Sequence, residues 1–392
     1  MKNQSYFIVI VISLLLTACA TTTTSPTVPP SQPVDIIAPS PPPEQPLTKS
    51  IHKRVQWSEL KGWAEDDLIP AWQAFLKSCT ALSKRATWKE PCRIAASLSK
   101  PDTVTVRKFF ESEFIPHQVI NTDNTAEGLI TGYYEPLLRG SRKPSNRYRY
   151  PVYAAPDGLL TIELGSAYPE LKDLRLRGRL NGRKVVPYYT RAEIMSNPKL
   201  LNGYELLWVD DEVELFFLHI QGSGQIVLDS GETMKIGFAD QNGYPYNSIG
   251  KILVQRGELP LEKASMQGIK QWGQQNPDKL PELLQQKARY VFFRELPADL
   301  SGPIGALGVP LTAGRSIAID PQSIPQGAPV FLATTWPNTS KPLNRLMVAQ
   351  DVGSAIKGGV RADFFWGFGH EAGTQAGKMK QSGRMWVLLP KN

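Results

Sequence analysis

Histidine and cysteine are scarce in this chain. Its 392 residues hold four histidines (His52, His117, His219 and His370) and three cysteines, with no Cys/His cluster. A zinc site has no ligand set here, so no metal is expected. No GxGxxG run opens a helix after a strand and no GxxxxGK[ST] run occurs. Nucleotide chemistry is therefore unsupported, and no cofactor is expected. Acidic residues are outnumbered, 36 Asp and Glu against 44 Lys and Arg, which leaves a formal net charge of +8. Nucleic acid is a poor partner for a chain that opens on a secretory signal. Anionic lipid headgroups or a cell-wall polymer bearing carboxylates suit the basic surface better.

Apolar runs are short, and the clearest one sets the compartment. Lys2 precedes Phe7 to Leu16, an apolar stretch broken only by Ser13, and Leu16-Thr17-Ala18-Cys19 follows. This reads as a signal peptide over residues 1–18, too short to span a bilayer as a mature helix. Its end resembles the bacterial lipoprotein box, in which the cysteine, here Cys19, becomes the lipidated first residue. Ala20 follows, with no Asp to retain the protein at the inner membrane. The expected location is the outer membrane, lipid-anchored and facing the periplasm. Residues 19–48 form the lipidated cysteine and a tether, in which Thr21 to Pro46 is rich in Thr, Pro and Ser. Extended at about 3.1 Å per residue, that stretch reaches on the order of 80 Å.

The rest of the chain is long enough for one large domain or two ordinary ones. Cys79 and Cys92, thirteen positions apart in an oxidising compartment, read as a disulfide. Helices are predicted over Trp57 to Cys79, with a break at Pro70, and over Arg107 to Phe114. The Thr190-x-x-Glu193 capping box predicts a short helix after Thr190. Tyr204 to Asp240 reads as consecutive strands, Val213 to Ile220 among them. Asn247 to Gln255, Lys263 to Gln275 and Leu280 to Lys287 read as helices. From Tyr290 onward VFF, GVPLTAG, RSIAID, PVFLATTW, RLMVAQD and MWVLLP read as short strands of a small closed barrel.

Three stretches carry candidate chemistry. Gly128 to Pro136, GLITGYYEP, ends in paired tyrosines whose flat faces and hydroxyls suit a sugar ring, though paired tyrosines are also ordinary strand residues. The Gln221-Gly222-Ser223-Gly224 corner offers an amide, a hydroxyl and backbone amides, as either a polar-ligand site or a tight turn would. Gln350 to His370 holds Asp351 and Asp363, separated by a Gly-rich loop with Lys357. Asp363 is followed by Phe364, Phe365 and Trp366. A carboxyl beside aromatic surface is poorly solvated, which raises its pKa and suits a general acid. The competing reading is that such acids cap turns and face water.

Taken in order, RSIAID (Arg315 to Asp320), QDVGSAIKG (Gln350 to Gly358) and RADFFWG (Arg361 to Gly367) resemble the 3D domain. That domain is named for three aspartates, here Asp320, Asp351 and Asp363. With GYYEP, QGSG and QNGYPYNSIGKIL (Gln241 to Leu253), the set is similar to the 3D-domain lytic transglycosylase family of membrane-bound lytic murein transglycosylase A. The resemblance covers nearly all of Trp57 to Pro390. It implies a mainly β fold with helices. A discontinuous double-psi β-barrel would take about residues 50–131 and 290–392. A smaller β-rich substrate-binding domain, about residues 132–289, would be inserted into it, with a groove between.

The implied reaction cleaves the β-1,4 bond between N-acetylmuramic acid and N-acetylglucosamine of peptidoglycan without water, leaving 1,6-anhydro ends. One carboxyl suffices, and Asp363 is the expected catalyst. Asp351, Asp320 and Lys357 are expected to support it. Thr131, Gly132, Tyr133, Tyr134, Glu135, Gln221, Gly222 and Ser223 are expected to hold glycan strands. If the segment is extended, Phe365 and Arg361 share the face of Asp363, and Phe364 and Trp366 take the other. Arg361 would then lower the pKa of Asp363 unless it turns away. Two other readings compete: a silent peptidoglycan-binding lipoprotein, and a hydrolase using Asp351 or Glu371 as second carboxylate. The protein is expected to be monomeric.

Overall fold

In the computed structural model, Ser50 to Lys391 are described, except Lys172, Asp173 and Arg175. Cys19 and the tether lie outside the described residues. Among those residues, no helix is long and apolar enough to cross a membrane.

Six strands close into a barrel. They are β1 (Gly128–Glu135), β2 (Ser316–Ile319), β3 (Pro329–Thr335), β4 (Pro342–Val352), β5 (Ala362–Phe368) and β6 (Lys380–Pro390). Their order round the ring is β6, β3, β4, β2, β5, β1, and β1 pairs again with β6. Two pairs are parallel, β2 with β4 and β1 with β5. Parallel neighbours need long crossovers. The β1–β5 pair joins positions separated by most of the chain.

The barrel is filled by residues such as Ile130, Ile317, Ile319, Val348, Ala362 and Phe364, all fully buried. The helices Ile69–Leu82, Ala86–Ser97 and Thr103–Glu113 pack against it through Trp72, Phe75, Phe109 and Phe110. Cys79 and Cys92 are joined by a disulfide, with Cα atoms 5.3 Å apart. The first long helix begins at Ile69, not near Trp57. Trp57–Glu59 is one short 3-10 turn, and Pro70 sits in the first turn of the helix, where its missing N–H costs nothing. The GVPLTAG run is not a strand either. It makes only the isolated bridge from Ile304 to Pro310, since Pro310 has no N–H to give a ladder.

A buried ion pair fastens these helices to the barrel. Arg315 donates to both carboxylate oxygens of Asp66, at 2.8 and 2.9 Å, and Asp66 also accepts the Leu346 N–H at 2.7 Å. The Gln350 amide is also fully buried. It accepts from Ser316 Oγ and donates to the Ala74 carbonyl and Ser78 Oγ.

A second six-stranded sheet runs in the order Val291–Leu296, Thr233–Gln241, Ser223–Leu228, Leu137–Ser141, Glu205–Val209, Tyr150–Tyr153. It curls until Ala154 bridges Phe293. Val291–Leu296, read from the sequence as the first strand of the barrel, hydrogen-bonds in this second sheet. Val213 to Ile220 forms no strand. It lies in the helix Glu212–Gln221, started by the Asp211 carboxylate on the Val213 and Glu214 N–H groups and ended by Gly222 at φ +81°. Apolar residues around that helix, buried on one side against the sheet and on the other against Ile249, Leu253 and Trp272, hide its helical period.

Replacing Arg315 by Ala would strand the Asp66 charge in the core. The expected loss is about 3–5 kcal/mol of unfolding free energy, measured by urea denaturation.

Candidate active site

The parallel β1–β5 pair places Thr131 beside Asp363, with Ala318 of β2 on the other side. Thr131 Oγ1 donates to Asp363 Oδ1 at 2.6 Å. Burial lifts the Asp363 carboxyl above its ordinary range; the Thr131 hydroxyl and the Arg361 charge pull the other way. Arg361 shares this neighbourhood, and its guanidinium donates to the carbonyls of Leu129 and Ala362, at 3.3 and 2.5 Å.

Strand alternation orders the aromatics. Phe364 is fully buried in the barrel, with Trp366 against it at 4.7 Å between centroids. Phe365 lies on the side of Asp363 and packs on Tyr133 at 5.1 Å. The Tyr133 hydroxyl donates to Asp351 Oδ2 at 3.0 Å, and Asp351 Oδ1 accepts the Ala306 N–H at 2.9 Å. Burial pushes the Asp351 carboxyl up to about 6, against those hydrogen bonds and with a small push from Asp363. Two carboxyls, on β4 and β5, are thus each bonded by a hydroxyl donor from β1.

Other expected site residues make contacts within the fold. A Cβ on Gly132 would lie 2.6 Å from the Trp366 ring nitrogen and 2.9 Å from the Ala376 Cα. Glycine there lets β1 pass close to Trp366 and to the C-terminal helix Gly369–Lys378. Tyr134, expected to stack on a sugar, is only 6% exposed. Its ring packs on Gly373 and its hydroxyl points at the Met266 sulfur, 3.6 Å away. Glu135 is buried, accepts from Gln225 at 2.9 Å, and is pushed up by burial. Gln221 takes the Tyr134 N–H at 3.3 Å, Gly222 closes the helix, and Ser223 opens the next strand. Asp320 is buried and accepts the N–H groups of Gln322 and Gly358, which anchors the loop between β4 and β5. Lys357 is exposed on that loop, and His370 and Glu371 are exposed at the start of the C-terminal helix.

One residue of this neighbourhood was not singled out from the sequence. Tyr246, in the QNGYPYN run, has its phenol raised by burial and, in part, by the charge of Asp363. Its ring lies under the Lys287 ammonium at 4.8 Å. A tyrosine between Pro and Asn in a turn-rich segment reads as loop, so only folding brings it toward the aspartate.

The chain matches the MltA specific insert domain over residues 129–294 and the 3D domain over residues 315–389. It is 34% identical over 294 residues to the membrane-bound lytic murein transglycosylase A of Escherichia coli K12, covering 73% of this chain and 72% of that protein. The monoclinic crystal structure of MltA from Neisseria gonorrhoeae is 39% identical with a TM-score of 0.77, covering 89% of this chain and 98% of that one. The structure of E. coli MltA with bound chitohexaose is 27% identical with a TM-score of 0.62, covering 89% of this chain and 96% of that one.

The raised Asp351 carboxyl sets a pH dependence of stability. A carboxyl whose folded pKa lies above its unfolded value binds its proton more tightly when folded. The stabilisation is complete below the unfolded pKa, near 4, and is lost as pH rises through about 6. Asp351→Asn should therefore flatten the fall in unfolding free energy between pH 4 and pH 6.5 by roughly 2 kcal/mol. Urea titrations of both proteins across that range measure it.

Proposed function

The chain belongs to the membrane-bound lytic murein transglycosylase A family, and from that premise we propose how its own residues carry out the reaction. Its activity is that of a lytic transglycosylase on peptidoglycan. The bond cleaved is the β-1,4 link from N-acetylmuramic acid to N-acetylglucosamine, and the products carry 1,6-anhydro ends. That a relative's structure holds chitohexaose supports a β-linked amino-sugar strand as the ligand here.

Asp363 acts first as acid. It gives its proton to the glycosidic oxygen, and the bond from C1 to that oxygen breaks. The carboxylate then takes the proton of the muramoyl C6 hydroxyl as that oxygen bonds to C1. An internal nucleophile held in place gains a large effective concentration over water. The observation that carries this reading is the state of the second carboxyl. Each Asp351 oxygen already accepts a hydrogen bond, from Tyr133 and from Ala306, so Asp351 is committed to positioning. A two-carboxylate hydrolase needs a second free group. Thr131 orients Asp363 through its hydroxyl, and Tyr133 orders Asp351 beside it. Tyr133 and Gln221 contact the glycan strand, while Asp320 and Lys357 act through the loop between β4 and β5.

The division of the chain follows the sheets. The barrel domain takes residues 50–131 and the C-terminal strands, and the inserted domain continues through Leu296, one strand further than the sequence pattern places it. Relatives carry the description membrane-bound. Attachment of this chain through a lipid on Cys19, at the outer membrane and facing the periplasm, rests on the lipoprotein box.

Asp363→Asn should lower turnover of purified sacculi by about 10³-fold or more, with anhydro-muramoyl ends lost from the products in mass spectra. Reducing ends carrying one added water, from the unmodified protein, would indicate a hydrolase instead. Thr131→Val should lower kcat about tenfold. Because the Thr131 hydroxyl holds the Asp363 pKa down, its loss should also move the alkaline limb of the kcat profile to higher pH.

A further inference from the structure

We propose that the outer wall of β1 and β6 is a second binding site, for an acidic peptide substituent of the glycan strand. It rests on the transglycosylase reading of Asp363 and extends it. Peptidoglycan strands carry short peptides with free carboxylates and amino groups, so the chemistry sought is a carboxylate-rich peptide near the cleaved bond.

The strand register builds a track from Asp363 outward. Ile130 points into the barrel with no exposure, so Thr131 and Leu129 face out; Leu129 is 40% exposed. On β6, Lys380, Ser382 and Arg384 are exposed and alternate with less exposed neighbours. Lys380 pairs with Thr131 and Ser382 with Leu129. The residue that binds Asp363 is therefore a direct cross-strand neighbour of a lysine. Four residues along β1, about 13 Å away at 3.3 Å per residue, the track reaches Glu127. There it opens into a solvent-open depression of about 460 Å³ lined in part by Glu59, Lys61, Glu127, Thr335, Arg384 and Trp386.

The charges along this track favour carboxylates. Glu127 is already neutralised by Arg384 at 2.7 Å and accepts from Ser382 at 3.2 Å. Lys61 and Lys380 are exposed, and neither ammonium pairs with a carboxylate among the described residues. One oxygen of Glu59 caps the Gln56 N–H, which leaves the other for an amino group. Two free ammonium groups at the two ends of the track, with one open carboxylate at the far end, match a peptide bearing several carboxylates and one amine. Trp386 also lines this depression, though it is mostly buried.

The test compares peptide-bearing glycan strands with strands stripped of peptide by an amidase. In the Lys61→Ala/Lys380→Ala protein, KM for peptide-bearing strands should rise about five- to tenfold, as two exposed ion pairs would allow, with kcat unchanged. For stripped strands both constants should stay within about twofold of the unmodified protein. An unchanged KM on peptide-bearing strands would overturn the proposal, as would an equal rise on both substrates. Calorimetric titration of the free murein peptide provides a readout without turnover: the double variant should bind it about five- to tenfold more weakly than the unmodified chain, and equal affinity would overturn the proposal. If the unmodified chain made anhydro ends from neither substrate, the transglycosylase reading would fail, and the titration would still decide the peptide site.

Discussion

The parallel pairing of β1 with β5 is the constraint on which the rest of this molecule depends. It joins Thr131 to Asp363 across 232 positions and closes the barrel at the same stroke. Parallel strands cannot be joined by a hairpin, so the chain between them must go somewhere. Here it builds the whole second sheet and then three strands of the barrel wall, β2, β3 and β4, before returning. The site therefore exists only when the long crossover is complete. Gly132 shows how tight the fit is, since even a methyl there would meet Trp366 and the C-terminal helix.

Electrostatics then separates two carboxyls that local sequence treats alike. Both Asp351 and Asp363 are pushed up by burial. Asp351 is held by donors on both oxygens, whereas Asp363 accepts one short bond from Thr131. A carboxyl held by a donor on each oxygen is fixed in place, and one held through a single oxygen keeps the other to pass a proton. The arrangement of donors, more than the pKa shift alone, assigns the roles. Arg361 is turned onto backbone carbonyls without losing its pull on Asp363, so the acid sits between opposing influences.

Much of the fold was legible, and the failures have particular causes. The four C-terminal runs RSIAID, PVFLATTW, RLMVAQD and MWVLLP form barrel strands because short β-rich runs between Gly and Pro have few other options. Val213 to Ile220 failed because a helix buried on two sides has no polar stripe to betray its period. Val291–Leu296 was recognised as a strand but given to the wrong sheet, since a strand's composition says nothing about its neighbour. In the site, the aromatic alternation after Asp363 followed from the period of two. Tyr134 did not behave as its twin Tyr133 does, because adjacent residues on a strand face opposite ways and only one faces the aspartates.

By itself the sequence determined the compartment signals, the candidate acids and the order of motifs that carries the family resemblance. These are properties of local composition and spacing, and folding does not alter them. Only the tertiary structure decided which donors reach which carboxyl, that Glu135 and Asp320 serve the scaffold, and that Lys380 stands next to Thr131. Each of those facts depends on strand register between distant segments. Register is set by side-chain packing across the whole barrel, which no single stretch contains.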